Sequence, residues 1–376
     1  MISCGEPSGD LYAGALVAAL RRREPDLEVF GLGGERLKAA GAELVADFHG
    51  LSVTGLTEAL AVLPRSWRML RLLTEAARTR KPDALVVIDY PDFNFRLMRA
   101  IKGLGVPVIY YVSPQLWAWR AGRMKTMKRF VDRVLPIFPF EEALYQQAGV
   151  AVRFVGHPLI ELIAPVPSRE VLIQRWNLDP ALPVVALLPG SRINELERLA
   201  PVMAAALPMI VARVPEAQFV VAQAPNLSNH WFEGFGIPGV TLRMVKGQAD
   251  EVLHASDTVI TASGTATVQT ALHDKPMVVL YKLSPMTYRL GRRLALVDTY
   301  AMVNLIAGQR VVRELIQDDC TPEAVAAETI RILTDRAYRQ QMVDELAEVR
   351  RRLGGAGASE RAAEAVLDVV HSAHAP

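Results

Sequence analysis

The chain is expected to fold as an α/β protein of two doubly wound parallel-sheet domains facing across a cleft. Three observations predict this. Short β-rich runs alternate with amphipathic helical segments almost throughout. Several of these runs are apolar nearly end to end, as strands buried on both faces of a parallel sheet must be. The alternation pauses once, at residues 156–168, where Gly156, Pro158, Pro165 and Pro167 cluster, and then restarts at Val184.

Taken in order, the first domain (1–160) draws its expected strands from residues 27–31, 84–89, 106–112, 133–138 and 152–155. The second (168–355) draws them from 184–188, 218–222, 258–262 and 277–281. Residues 11–23, 65–80 and 268–274 read as helices between them. The opening strand is short: only Ile2, Ser3 and Cys4 precede a glycine turn, against ~5–6 residues for an ordinary strand. Either the start is late or that strand is clipped. A helix over 358–373 is expected to cross back onto the first domain or to swap to a partner in a homodimer.

Composition narrows the function classes. A length of 376 residues suits two packed units with separate cores, and a hydrophobic fraction of 51% can fill them. The formal charge of +2 gives no field for nucleic acid, so any attraction to anions comes from local clusters. Cys4 and Cys320 are the two cysteines, too few for a disulfide framework, and no CxxC or Cys/His cluster suggests zinc. A reduced compartment is the default. The N-terminus has neither the charged start nor the apolar stretch of a signal peptide. No apolar run approaches the ~18–20 residues that span a bilayer, so membrane contact, if made, is peripheral.

Five stretches carry chemistry. Gly5-Glu6-Pro7-Ser8-Gly9-Asp10 joins the first strand to its helix, where helix amides attract anions; the plainer reading is a βα turn with Ser8 or Asp10 as N-cap. Ile88-Asp89-Tyr90-Pro91-Asp92-Phe93-Asn94 follows a buried run, which puts Asp89 at a strand's carboxyl end, where open α/β sheets bind ligands. A carboxylate there can deprotonate an attacking hydroxyl. Asp92 is expected to cap the next helix instead.

Tyr110-Tyr111-Val112-Ser113-Pro114-Gln115-Leu116-Trp117-Ala118-Trp119-Arg120 is aromatic-rich and is followed by Arg123, Lys125, Lys128 and Arg129. Aromatic faces pack on sugars and cations hold phosphate; core tryptophans beside a solvated basic helix is the alternative. Stacking on single-stranded nucleic acid is the weakest reading. Leu187-Leu188-Pro189-Gly190-Ser191-Arg192 and Ser263-Gly264-Thr265 each end a strand and open a helix, as two grips on one diphosphate would. With Arg192 and helix amides present, and no Asp-x-Asp beside these loops, no metal or other cofactor is required. Lastly, Leu56, Leu60, Leu63, Trp67 and Leu70 form a helical stripe that reads first as core-facing. Pro64 is expected to break it into two helices. The flanking Arg65, Arg68 and Arg71 would also suit an interfacial helix on anionic lipid.

These motifs, with SGTAT (263–267) and NLIAG (304–308), resemble the lipid-A-disaccharide synthase family in the family's order and over nearly the entire chain. The resemblance implies a GT-B fold, with an acceptor-binding, membrane-facing first domain and a donor-binding second one. It implies an inverting glycosyltransferase peripheral to the cytoplasmic face of the inner membrane. The donor would be UDP-2,3-diacylglucosamine and the acceptor 2,3-diacylglucosamine 1-phosphate (lipid X). By the same resemblance Asp89 is the base and Arg192 the diphosphate ligand. Glu6, Ser8, Gly9, Gly190, Ser191, Ser263, Gly264, Thr265, Gln269 and Asn304 line the substrates, and Leu56, Leu60, Leu63, Trp67, Arg120 and Arg123 meet acceptor or membrane.

Two departures from the family pattern stand out. Gln269 replaces a glutamate expected on ribose hydroxyls, and Tyr90 replaces a small residue and should narrow the cleft. Two rivals share the architecture: a UDP-N-acetylglucosamine 2-epimerase, with paired acid/base groups and no acceptor site, and a non-catalytic sugar-nucleotide sensor.

Overall fold

The computed structural model of the chain describes all residues except 49–55, 117–120, 226, 285–287, 289–298 and 375–376; for 56–62, 121 and 374 the backbone alone is described. Leu56, Leu60 and Arg120 therefore lie outside the described side chains. The chain divides into two compact units, Met1–Glu161 with Leu353–Pro376, and Leu162–Arg352.

In the first unit, strands β1 (Ile2–Cys4), β2 (Phe30–Gly33), β3 (Glu43–Asp47), β4 (Leu85–Ile88), β5 (Val108–Tyr111) and β6 (Arg133–Leu135) form one sheet in the order β3-β2-β1-β4-β5-β6. In the second, β7 (Val184–Leu188), β8 (Gln218–Gln223), β9 (Leu242–Lys246), β10 (Thr258–Ala262), β11 (Met277–Tyr281) and β12 (Arg313–Ile316) run β12-β11-β10-β7-β8-β9. Every pairing is parallel. Parallel neighbours need crossovers, and helices supply them on both faces. Each sheet has its own core, around Leu85, Val87 and Val108 in the first unit and around Val185, Leu187 and Ile260 in the second.

The central strands β4, β7 and β10 are buried along their length, which is why their sequences are legible. Strands β3, β9 and β12 were not expected. They lie at sheet edges, are half-exposed and carry charges such as Glu43, Lys246 and Arg313, so an apolar-run criterion passes over them. The run 27–31 starts its strand three residues late, at Phe30, and 152–155 contributes a single bridge between Val134 and Val152.

Helix α1 (Pro7–Arg23) begins with Glu6, not Ser8 or Asp10, at its N-cap, because Pro7 takes the first helical position. Asp10 instead caps a neighbour. It is 4% exposed, and its carboxylate accepts backbone N–H bonds from Gly34 (2.8 Å), Arg36 (2.9 Å) and Leu37 (3.1 Å) at the start of helix α2 (Glu35–Ala39). A negative group on helix-terminal amides is well placed electrostatically.

Helix α3 (Leu56–Arg80) continues through Pro64 as one helix, contrary to the expected break. The sacrifice is local, since proline removes one N–H bond and the helix continues for four turns that pack on the sheet. Its core face is also displaced from the expected stripe. Met69, Leu73 and Ala77 are buried and Leu70 packs against them, whereas Leu63 is 38% and Trp67 54% exposed. Spacing identified an amphipathic helix but not which apolar face meets the sheet.

The C-terminal helix Ala358–His374 packs on α1, and Glu360 pairs with Arg22 and Arg23. Beneath this region His157 is fully buried, edge-on to Tyr12 (6.1 Å) and tilted against Phe138 (5.4 Å). Burial depresses its pKa to about 3 from an ordinary 6.5. Between those values the unfolded chain binds a proton that the folded one refuses. His157 therefore costs no stability above pH 6.5 and progressively more as pH falls, up to about 1.4 kcal/mol per pH unit. His157→Gln is expected to flatten the decline in urea stability between pH 6.5 and 4; a wild-type–variant difference that stays constant over that range would refute this.

Candidate active site

Strand order determines where ligands can enter. In each sheet the chain winds outward in one direction and then returns to wind in the other, leaving a crevice at the carboxyl ends of the two innermost strands. In the first unit those strands are β1 and β4, in register at Cys4 and Ile88. Gly5-Glu6-Pro7-Ser8 and Asp89 thus leave the sheet side by side. In the second unit they are β7 and β10, in register at Leu188 and Thr261, so Gly190-Ser191-Arg192 and Ser263-Gly264-Thr265 leave side by side.

Asp89 is half-buried and starts a strained turn. Asp89 (φ 45°) and Tyr90 (φ 47°) are both left-handed, a conformation that costs about 1–3 kcal/mol per non-glycine residue. Two side chains hold it. The Asp89 carbonyl accepts hydrogen bonds from Asn94 Nδ2 (2.8 Å) and the Tyr110 hydroxyl (2.9 Å), and Asn94 Oδ1 accepts another from Ser3 Oγ (2.7 Å). The Asp89 charge adds to burial in pushing the Tyr12 and Tyr110 phenols up. Nothing in the sequence marks Tyr110 as a support, whereas Asn94 lies five residues on within the same motif.

Tyr90, not Asp92, is the N-cap of helix α4 (Pro91–Lys102). Asp92 is exposed and pairs with Arg123 (2.6 Å), whose guanidinium also covers the Phe95 ring at 4.9 Å. The Tyr90 ring stacks on Phe93 and lies over Gly5, where a Cβ would come within 2.1 Å of it. Tyr90 thus roofs the glycine turn of its own unit. Ser8 presents its hydroxyl on the first turn of α1 with no hydrogen-bond partner among the described residues. Gly9 faces the sheet, where a Cβ would stand 3.3 Å from that of Cys4, so its missing side chain lets helix and strand approach closely. Tyr110 and Tyr111 are fully buried strand residues, which assigns them to the core, not to a sugar face.

In the second unit Gly190 (φ +114°) turns the chain away from β7, and Arg192 is the N-cap of the long helix Ile193–Arg213. Glu195, three residues beyond the motif, also belongs to this loop. Its carboxylate accepts from Ser191 N (3.3 Å) and Arg192 Nη1 (3.2 Å), and a Cβ on Gly190 would fall 2.4 Å from its Oε2. The loop already seats one anion on its amide and guanidinium. The Arg192 side chain is 52% exposed.

Opposite this loop, Gly264 (φ +139°) is the N-cap of the helix Thr265–Leu272, Thr265 is exposed at its start, and the Ser263 hydroxyl donates to Tyr300 O (3.0 Å). Gln269, one turn further on, donates from Nε2 to Asp250 Oδ1 (2.7 Å). Asn304 is 2% exposed with its amide fully engaged: Oδ1 accepts from Val311 and Val312, and Nδ2 donates to Val312 O and Glu314. It organises the segment around Tyr300, whose N–H also donates to Glu314. Among the described residues no group of three or more His, Cys, Asp or Glu could hold a metal ion, and no helix is long and apolar enough to cross a membrane.

Comparison with known proteins gives the family and the architecture. The family described as lipid-A-disaccharide synthetase matches residues 1–369. The lipid-A-disaccharide synthase of Myxococcus xanthus is 47% identical over 374 residues, covering 98% of this chain and 97% of that protein. That of Syntrophus aciditrophicus is 42% identical over 374 residues, with the same coverages. Among solved structures, the UDP-GlcNAc 2-epimerase of Neisseria meningitidis bound to UDP-GlcNAc matches with a TM-score of 0.68 at 13% identity, covering 98% of both chains. A glycotransferase of kitacinnamycin matches with a TM-score of 0.66 at 18% identity, also covering 98% of both. At such identities the solved structures show the shared GT-B architecture alone, which hosts epimerases and transferases alike. Sequence similarity separates them: this chain belongs to the lipid-A-disaccharide synthase family, the hexosyltransferases of lipid A biosynthesis.

Proposed function

We propose that the chain transfers the sugar of UDP-2,3-diacylglucosamine to the 6-hydroxyl of 2,3-diacylglucosamine 1-phosphate, with inversion, releasing UDP and the β-1′,6-linked disaccharide 1-phosphate. The observation that carries this reading is the coincidence of the motif loops with the two switch points. One holds a strained, half-buried carboxylate and the other an anion-seating amide–guanidinium loop.

The steps balance with these groups alone. The acceptor oxygen attacks the anomeric carbon as its proton passes to Asp89; the bond from that carbon to the diphosphate breaks, and the electron pair leaves on UDP. Arg192 and the amides of Ser191 and Thr265 neutralise the departing charge. Glu195 yields its place on the loop to the diphosphate. Asn304, with no free hydrogen-bonding position, acts by holding the Tyr300–Glu314 segment.

The acceptor is lipid, and the exposed Leu63, Trp67 and Leu72 beside exposed Arg65, Arg68 and Arg71 support docking of α3 on an anionic membrane surface, the cytoplasmic face of the inner membrane. Arg96 stands 5.6 Å from the Trp67 ring and adds to that basic rim.

The test is incubation with both lipid substrates, resolved by thin-layer chromatography, with the anomeric configuration read by NMR. Disaccharide and UDP should appear together, only when both substrates are present, with a β-linkage, and undiminished by EDTA. Conversion of the donor sugar in the absence of acceptor would mark an epimerase and overturn the reading. Absence of product despite tight UDP binding would mark a sensor.

A further inference from the structure

By the resemblance drawn from the sequence motifs, Gln269 takes the place of a carboxylate, and its surroundings explain why an amide is there. Asp250, at the start of the helix Ala249–Ala255, places Oδ1 2.7 Å from Gln269 Nε2 and 2.9 Å from His273 Nε2. Residues 269 and 273 are one turn apart, so both reach the same oxygen. Burial acts to raise the Asp250 carboxyl, but the hydrogen bonds from His273 and Gln269 and the His273 charge outweigh it and hold it below its ordinary value. An ionised carboxylate only accepts, so Gln269 must turn its NH2 towards Asp250. Its Oε1 is then the remaining pole, with no partner among the described residues. A glutamate at 269 would set a second carboxylate at hydrogen-bond distance from the first, and two such charges do not both ionise.

The placement says what Oε1 serves. Residue 269 lies four positions beyond Thr265, about 6 Å along the helix from the loop at its start. A ribose attached to a diphosphate on that loop has hydroxyls to offer at this depth. We propose that Asp250, braced by His273, is the positioning residue that turns the Gln269 amide so that Oε1 accepts a ribose hydroxyl of the bound nucleotide. The negative charge of this subsite then sits on Asp250 instead of on residue 269. The inference rests on the reading that the second unit binds the UDP part of the donor.

Calorimetric titration with UDP and with its 2′-deoxy and 3′-deoxy analogues tests it. Wild-type protein should bind UDP about tenfold more tightly than one of the analogues, the worth of one hydroxyl bond to a well-held acceptor. Gln269→Met should shrink that preference to about twofold or less. Asp250→Ala should shrink it similarly, with residue 269 untouched. Gln269→Glu should weaken UDP binding by about tenfold, and the double variant Asp250→Asn/Gln269→Glu should restore both affinity and preference, because the charge has only changed places.

A purely structural tie between the two helices would alter melting temperature without altering hydroxyl preference. Asp250→Ala that folds and keeps the wild-type preference overturns the proposal. Should that variant not fold, the double variant decides: no recovery over Gln269→Glu overturns it. Wild-type protein that does not bind UDP removes the underlying reading instead, and so the two failures are distinguishable.

Discussion

Asp89→Asn should lower turnover by roughly 10²–10⁴-fold while changing UDP affinity by no more than about twofold. The range is what a positioned general base contributes, and an amide of the same size cannot take the proton. Asparagine is the informative substitution because residue 89 sits at φ 45°, a left-handed conformation that Asn tolerates about as well as Asp. The backbone bonds from Asn94 and Tyr110 go to the residue's carbonyl, not its carboxylate, so they survive the change. Alanine would confuse lost chemistry with backbone strain. Single-turnover rates with saturating donor and acceptor give the chemical step, and calorimetry gives UDP binding. An asparagine variant that turns over at the wild-type rate would remove Asp89 from the reaction.

Arg192→Ala should weaken UDP binding by about tenfold or more and lower kcat/KM by roughly 10²–10³-fold. Two effects act in the same direction. On the proposed role, the departing diphosphate loses its cation, and Glu195, now paired with Arg192 at 3.2 Å, is left as an unbalanced negative charge on the loop proposed to receive the phosphates. The arginine is half exposed, so its ground-state contribution is reduced by solvent and most of the loss should appear in kcat. Arg192→Lys keeps the charge but loses the planar fork and should fall between the two. Calorimetry that finds UDP affinity unchanged in Arg192→Ala would dismiss the diphosphate role.

The two units were legible in the sequence to different depths. Strands β4, β7, β10 and β11 could be read almost to the residue, because a strand buried on both faces has no polar alternation to disguise it. The edge strands β3, β9 and β12 could not, since a half-exposed strand bearing charges resembles a loop or a helix turn. The same holds for the candidate site residues. Asp89, Arg192 and the Ser263–Thr265 loop announce themselves by following buried strands. Glu195, Asn94 and Asp250 do not, because their roles lie in what their side chains touch: Glu195 lies three residues after Arg192, Asn94 five after Asp89 and Asp250 nineteen before Gln269. The stripe on α3 shows the limit from another side. Period alone marks a helix as amphipathic, yet Met69, Leu73 and Ala77 won the sheet, and Trp67 stayed outside.

By itself, then, the order of residues determined the α/β class, the position of the loops proposed to carry chemistry and the family. These are local properties: runs of apolar residues, glycines that open turns, motifs in an order. Only the tertiary structure decided that those loops pair at two switch points, because strand order is set by crossovers spanning dozens of residues. It alone decided that Asp10 caps a helix, that Asn304 has no bond left to give and that Gln269 answers to Asp250. Hydrogen-bond partners are chosen by proximity in space, and no spacing along the chain contains that information.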